Sequence, residues 1–252
     1  MLAGPAAPSL RAMPRRGPLI GRDVEQAELG GILAEAAGGR GGVALVAGEA
    51  GVGKTRLVEA TVHAAGLRVL RGHAVEEATP PFGPLAAALR SQLRDDPAGL
   101  PDCGPLTPYL ALLLPELGAP PPDGDPGALL EALRRLLEEL APVVVFLDDL
   151  QWADQATLDL LPPLAASAEA GGVVLVGAYR SDEIPRGHPV RRLRRDLRRA
   201  GRLRELALEP LDAAATGALV ERTLGTPAGP ALAVLVHDRT QGIPFLDRKS
   251  VV

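Results

Sequence analysis

Cysteine is almost missing from this sequence. Its 252 residues include a single one, Cys103, which excludes an intrachain disulfide framework and a cysteine-only zinc site. It stands between Pro101 and Pro105 and reads as a bystander thiol in a loop. The four histidines show no ligand spacing. Aromatics are only 2% of the chain, although hydrophobic residues reach 46%. A core is available, but it must be built of Ala, Leu and Val. No apolar run is long enough to cross a bilayer. Arg11, Arg15 and Arg16 lack the following hydrophobic stretch of a secretory signal. An excess of positive charge is absent as well. The formal net charge of −4 argues against a general nucleic-acid or membrane-surface binder. These absences lead us to expect a cytoplasmic protein with no membrane partner. The length suits one large α/β domain and the beginning of another.

Lysine is the last scarcity, and it points to what is present. Of 27 Lys and Arg residues, only Lys54 and Lys249 are lysine. Lys54 lies in Gly48-Glu49-Ala50-Gly51-Val52-Gly53-Lys54-Thr55, which matches the phosphate-binding P-loop, or Walker A, pattern G-x-x-x-x-G-K-[ST]. The apolar run Val43–Ala47 before it suits a buried parallel strand. Leu57, Val58, Val62 and Ala65 after it fall at helical spacing. Gly48, Gly51 and Gly53 let the loop reach positive φ and turn its N–H groups onto phosphate oxygens. The helix N-terminus adds partial positive charge. All eight residues are therefore candidate nucleotide contacts. Lys54 is expected on the β/γ-phosphates and Thr55 on Mg²⁺.

The rest of the chain reads as alternating strands and helices. Residues 1–18, rich in Ala, Pro, Gly and Arg, are expected to be disordered. Structure starts at Leu19 and enters a helix carrying Leu29, Ile32 and Leu33. Further strands are expected at Leu67–Leu70, Val143–Leu147, Val173–Tyr179 and Leu203–Leu208. Between Glu76 and Gly127 the pattern is irregular and proline-rich, around two helical pieces at Leu85–Leu93 and Tyr109–Leu114. Leu129, Leu130, Leu133, Leu136, Leu137 and Leu140 form a helical stripe. Asp154 caps another helix, which Pro162-Pro163 should break or kink. Asp212 caps a helix through Leu219 and Val220, and Leu232–Val236 is a further one. The fold class is an α/β P-loop NTPase with a five-stranded, mostly parallel sheet and helices on both faces. We expect the ATPase core at 19–210 and the start of a helical lid at 211–246.

Asp148 and Asp149 close the third strand in the Walker B manner. Asp148 is expected to hold Mg²⁺ opposite Thr55, and Asp149 stands where many ATPases place a glutamate as general base. Arg180, at the C-terminal end of the fourth strand, faces the ligand side of an open parallel sheet. That makes it a candidate γ-phosphate sensor. A cluster of nine arginines between Arg186 and Arg204 includes Leu193 and Leu197 four apart, as on a helix with one apolar edge and a solvated basic face.

These residues in this order resemble the ATPase domain of STAND-type signalling regulators within the AAA+ superfamily. The subgroup most similar in pattern is the large ATP-binding LuxR-family transcriptional regulators of bacteria. The resemblance runs from about Leu19 to Leu246. Ile20, Gly21 and Arg22 are similar to the family's opening motif, which contributes to the adenine pocket. Leu147-Asp-Asp-Leu-Gln-Trp-Ala-Asp154 resembles its extended Walker B, and Tyr179–Glu183 its sensor strand end. Leu208–Leu211 is similar to the junction into the lid. Gly242-Ile243-Pro244 resembles the Gly-x-Pro motif whose proline packs on adenine, with Ile243 where Asn is common. The resemblance implies a switch. Bound ADP holds a closed monomer, and ATP with an unknown inducer opens it into a homo-oligomer. DNA is reached only through an effector domain that this sequence does not contain. A constitutive AAA+ machine of the DNA-loading type and a P-loop small-molecule kinase are the competing readings. The final six residues, 247–252, are expected to be non-native, because they match the in-frame translation of a common sequencing-adapter stretch.

Overall fold

The computed structural model describes residues 17–77, 80–96, 99–169 and 171–244. The expected disorder of the first sixteen residues, the end of the resemblance at Phe245-Leu246 and the non-native tail lie outside these residues. Five strands appear where the sequence predicts them. They are β1 (Gly42–Gly48), β2 (Arg68–His73), β3 (Val143–Asp148), β4 (Val173–Arg180) and β5 (Leu203–Leu208). All are parallel, in the order β2-β3-β4-β1-β5. The central strands are apolar at consecutive positions because helices cover both faces of the sheet. Val43 and Leu45 point to one core, and Ala44 and Val46 to the other.

The second of these faces is covered by α1 (Asp23–Ala37) and α2 (Lys54–Ala65), through Leu29, Leu33, Val58 and Val62. The first face holds α3 (Gly83–Asp95), α4 (Pro126–Leu140), α5 (Gln155–Ala168) and α6 (Pro189–Arg199). On α4 the predicted leucine stripe is buried at Leu129, Leu133, Leu136, Leu137 and Leu140, while Leu130 is half-buried. After β5 the chain turns into two helices packed on each other, α7 (Ala213–Leu224) and α8 (Pro230–Thr240). Asp212 caps α7 by accepting from the Ala215 N–H at 2.7 Å. Among the described residues no helix is long and apolar enough to cross a membrane.

Two local expectations are corrected. Pro162 and Pro163 do not break α5, which runs through both to Ala168. Leu158, Leu161, Leu164 and Ala165 are buried along one face, and that packing outweighs the hydrogen bonds the prolines cannot donate. The piece around Tyr109 is a 3₁₀ helix, Gly104–Leu112, with Pro108 inside it. Cys103 stands in the loop just before this helix, as expected. It is buried in the first core with its Sγ 3.5 Å from the Ala132 carbonyl, and burial raises the thiol's pKa. The arginine-rich segment forms α6 with Val190, Leu193 and Leu197 buried. Its basic face is partly paired, since Arg194 and Arg198 bracket Glu205 at 2.5 and 2.6 Å.

One residue of the extended Walker B stretch has a purely architectural position. Asp154 Oδ1 accepts from the backbone N–H of Thr157 at 2.9 Å and of Phe82 at 3.0 Å, and Oδ2 accepts from the Thr157 hydroxyl at 2.6 Å. It therefore caps α5 and ties down the start of α3, where Phe82 has φ 62°. Asp154→Ala is expected to lower stability by about 1–3 kcal/mol, a lost cap plus an orphaned N–H. The midpoint of urea unfolding measures it, and an unchanged midpoint would contradict this reading.

Candidate nucleotide-binding site

The parallel sheet brings its C-terminal strand ends together at one edge. Because β4 lies between β1 and β3, Arg180 sits in register with Gly48. Asp148, at the end of β3, lies on the other side of β4. The loop after β1 turns into α2 with Gly51 at φ 79° and Gly53 at φ 109°, values that a residue with a Cβ adopts only under strain. Lys54 opens α2 and is 94% buried, 6% being exposed. Its Nζ donates to the Gly48 carbonyl at 2.9 Å and the Glu49 carbonyl at 2.8 Å. Burial lowers the ammonium's pKa, opposed by the nearby Asp148 and Asp149 carboxylates.

Thr55 and Asp148 meet directly, the hydroxyl donating to Asp148 Oδ2 at 2.5 Å. Burial pushes the Asp148 carboxyl above its usual range, against the pull of that hydrogen bond. A hydroxyl and one carboxylate, with phosphate and water to complete the shell, form an oxygen set that fits Mg²⁺. Asp149 takes a left-handed backbone at φ 54°. Its Oδ1 accepts from Gln151 Nε2 at 2.9 Å and lies 3.3 Å from Arg180 Nε.

These groups line one end of a cleft of about 330 Å³. The phosphate-loop end is formed by Gly51–Thr55, Asp148, Asp149 and Arg180. The rest of the lining mixes the apolar Leu19, Ile20, Leu211, Leu219 and Pro244 with Arg22, Arg56 and Arg222. Polar and apolar lining side by side suit a nucleotide's phosphates and its base. Of the eight loop residues, Gly48, Glu49 and Ala50 fall outside this lining. The first two present carbonyls to Lys54 instead.

The motif expected at the adenine splits in its positions. Ile20 lines the cleft. Gly21, at φ 63°, would place a Cβ 2.7 Å from Ala215 Cβ, so glycine here lets α7 approach. Arg22 lines the cleft, but its guanidinium donates to the carbonyls of Val52 at 3.2 Å and Glu209 at 2.6 Å, and pairs with Glu25. It buttresses the phosphate loop against the end of β5. Pro244 lines the cleft, and Ile243 is buried in the core beside the β5 leucines. That environment accounts for an apolar residue at the middle of Gly-Ile-Pro.

Sequence reasoning missed Arg56, Leu211, Leu219 and Arg222, which also line the cleft. Arg56 and Arg222 donate to the carbonyls of Gly17 and Pro18, respectively. Arg56 follows Thr55 on α2 and was within reach of the motif. Arg222 and the two leucines come from segments that only folding brings over the loop.

A family model described as an AAA ATPase domain matches residues 18–176. The chain belongs to this AAA ATPase family. Membership implies nucleotide binding, and the cleft is where the phosphate loop lies. Among solved structures, a Walker-type ATPase of Pyrococcus abyssi superposes with a TM-score of 0.61 at 16% identity, covering 96% of this chain and 70% of that one. The Orc1 protein of Aeropyrum pernix, solved in complex with DNA, gives 0.58 at 19%, covering 92% and 59%. Thermotoga maritima RuvB, a Holliday junction branch migration motor, gives 0.53 at 18%, covering 92% and 61%. At such identities these neighbours speak for the AAA ATPase fold alone. The chain thus spans roughly three fifths of the length of the last two. No curated protein sequence matches it.

Proposed function

We propose that this AAA ATPase domain is the ATP-binding, slowly hydrolysing switch module of a multidomain bacterial signalling or transcriptional regulator. The observation that carries the reading is the two-sided cleft. Its floor is the sheet edge with Lys54, Asp148 and Arg180, and one wall is α7 with Leu219 and Arg222. A nucleotide in it would touch both the core and the helical pair, which we read as the start of a lid. Its phosphorylation state would then bias their arrangement. The resemblance to STAND regulators supports the regulator context, with DNA contacted only by an effector domain beyond this sequence.

In this reading Lys54 neutralises the β/γ-phosphates, and Thr55 and Asp148 would hold Mg²⁺, which screens phosphate charge when bound. Asp149 takes the proton of a water whose oxygen bonds to the γ-phosphorus. The bond from that phosphorus to the β,γ-bridging oxygen breaks, and ADP leaves with the electron pair. Aspartate is one methylene shorter than glutamate, so the base reaches the water less well and turnover is slow.

The likeness to RuvB and Orc1 favours a second reading, a constitutive AAA+ machine. Steady-state turnover with ATP alone, together with size analysis in ATP and in ADP, separates the two. The switch predicts turnover well below roughly 1 s⁻¹, the low end for enzymes, with assembly in ATP and monomer in ADP. Fast turnover by a ring that forms in either nucleotide would replace the switch with the machine. Transfer of phosphate to a small-molecule acceptor would replace both with a kinase.

A further inference from the structure

The guanidinium of Arg22 serves two distant stretches of backbone at once. The residue is buried just ahead of α1. One nitrogen, Nη2, donates to the Val52 carbonyl at 3.2 Å and to the Glu209 carbonyl at 2.6 Å. The other, Nη1, donates to Glu25 Oε1 at 3.0 Å in an ion pair that orients the group. Val52 lies in the phosphate loop between Gly51 at φ 79° and Gly53 at φ 109°. Two glycines leave the backbone little stiffness of its own there. The Val52 side chain is buried in the second core, and its carbonyl is held by Arg22. In a trans peptide the C=O and the following N–H lie in one plane on opposite sides. The contact that draws the Val52 carbonyl toward Arg22 therefore turns the Gly53 N–H the other way, and Gly53 lines the cleft. The second carbonyl belongs to the entry of α7. Glu209 follows β5, and Leu211 lines the cleft while its N–H donates to the Gly242 carbonyl at 2.8 Å.

We propose that Arg22 is a positioning residue for the phosphates, aiming the Gly53 N–H into the cleft and tying that peptide to the entry of α7. The proposal rests on the cleft being an ATP site. It departs from the adenine contact that the resemblance implies for this position, because both hydrogens of Nη2 are used on backbone. A phosphate bound at Gly53 acts on the same peptide that Arg22 joins to Glu209. The α7–α8 pair therefore responds to phosphate through this tie, with or without a base.

The experiment uses the full chain with Mg²⁺ and three ligands, ATP, inosine triphosphate and inorganic triphosphate, each followed by calorimetry. Arg22→Met is expected to weaken all three by one common factor of about ten, the loss that one buried hydrogen bond brings. A loss for the two nucleotides, with inorganic triphosphate bound as in the native protein, would overturn the proposal in favour of a base contact and leave the nucleotide site standing. A native preference between the two bases that disappears in the variant would count the same way. Failure of the native chain to bind ATP would overturn the site and the proposal together. Hydrogen exchange reads the tie. Inorganic triphosphate has no base to reach Leu211 or Leu219. It is expected to slow exchange at the phosphate loop and the start of α7 in the native chain, and at the loop alone in Arg22→Met. Equal protection of α7 in both would overturn the tie. If the melting temperature shows that Arg22→Met does not fold, Glu25→Gln takes its place, since it loosens only the orientation of the guanidinium. A common loss of about threefold is then expected, and a loss confined to the two nucleotides would again overturn the proposal.

Discussion

Replacing Lys54 with alanine is expected to weaken ATP binding at least about a hundredfold, or roughly 3 kcal/mol. The reason lies in how the ammonium is held. It is almost entirely buried, and two backbone carbonyls of its own loop are the donors' partners. Carbonyls compensate a desolvated cation poorly compared with phosphate oxygens, and burial already lowers the lysine's pKa. Arrival of a triphosphate would exchange neutral acceptors for anionic oxygens, so that donor and acceptor both carry charge. Alanine offers neither. Calorimetric titration with ATP and Mg²⁺ measures the loss, and the melting temperature checks that the fold survives. An unchanged affinity would remove the assignment of this loop as the phosphate site.

Asp149→Asn is expected to leave ATP affinity within a few-fold of the native value and to lower turnover by roughly 10²–10⁴, the usual contribution of a general base. Asparagine keeps the size of the side chain and an oxygen for the Gln151 amide, so positioning is retained while basicity is lost. Asp148→Asn should behave differently. Its carboxylate meets Thr55 at the proposed metal position, so Mg²⁺-dependent binding should weaken while binding in a chelator stays as it was. Single-turnover hydrolysis and paired titrations with and without Mg²⁺ read both variants. Equal loss of ATP binding in the two would mean that the neighbouring aspartates do not divide the work in this way.

Much of the frame was legible because it depends on local signals. The central strands β1, β3 and β4 are continuous apolar runs, β2 and β5 are mixed, and all five stand where they were expected, with no end shifted by more than three residues. The turn from β1 into α2 was legible for the same reason. Strand, glycines, lysine and helix are consecutive, an arrangement whose backbone geometry favours anion binding in general. Capping by Asp154 and Asp212 followed from residue type and position. Where the sequence misled, packing had overridden a local rule. Two prolines inside α5 are carried by its buried face.

Sequence alone determined that this is a P-loop α/β protein, which elements it has, and which residue types stand at the strand ends. Tertiary structure decided who meets whom. The strand order puts β4 between β1 and β3, and only that order sets Arg180 against Asp149, residues 31 positions apart by number. Arg22 is expected at the adenine from sequence, and only the fold shows its guanidinium tying Val52 to Glu209. Leu219 and Arg222 enter the cleft because α7 folds back over the sheet edge, with Gly21 making room for it. Contacts of this kind carry no periodicity and no motif. They depend on the relative placement of elements far apart in the chain, which is set by how two apolar cores close on the sheet and not by any neighbouring residue.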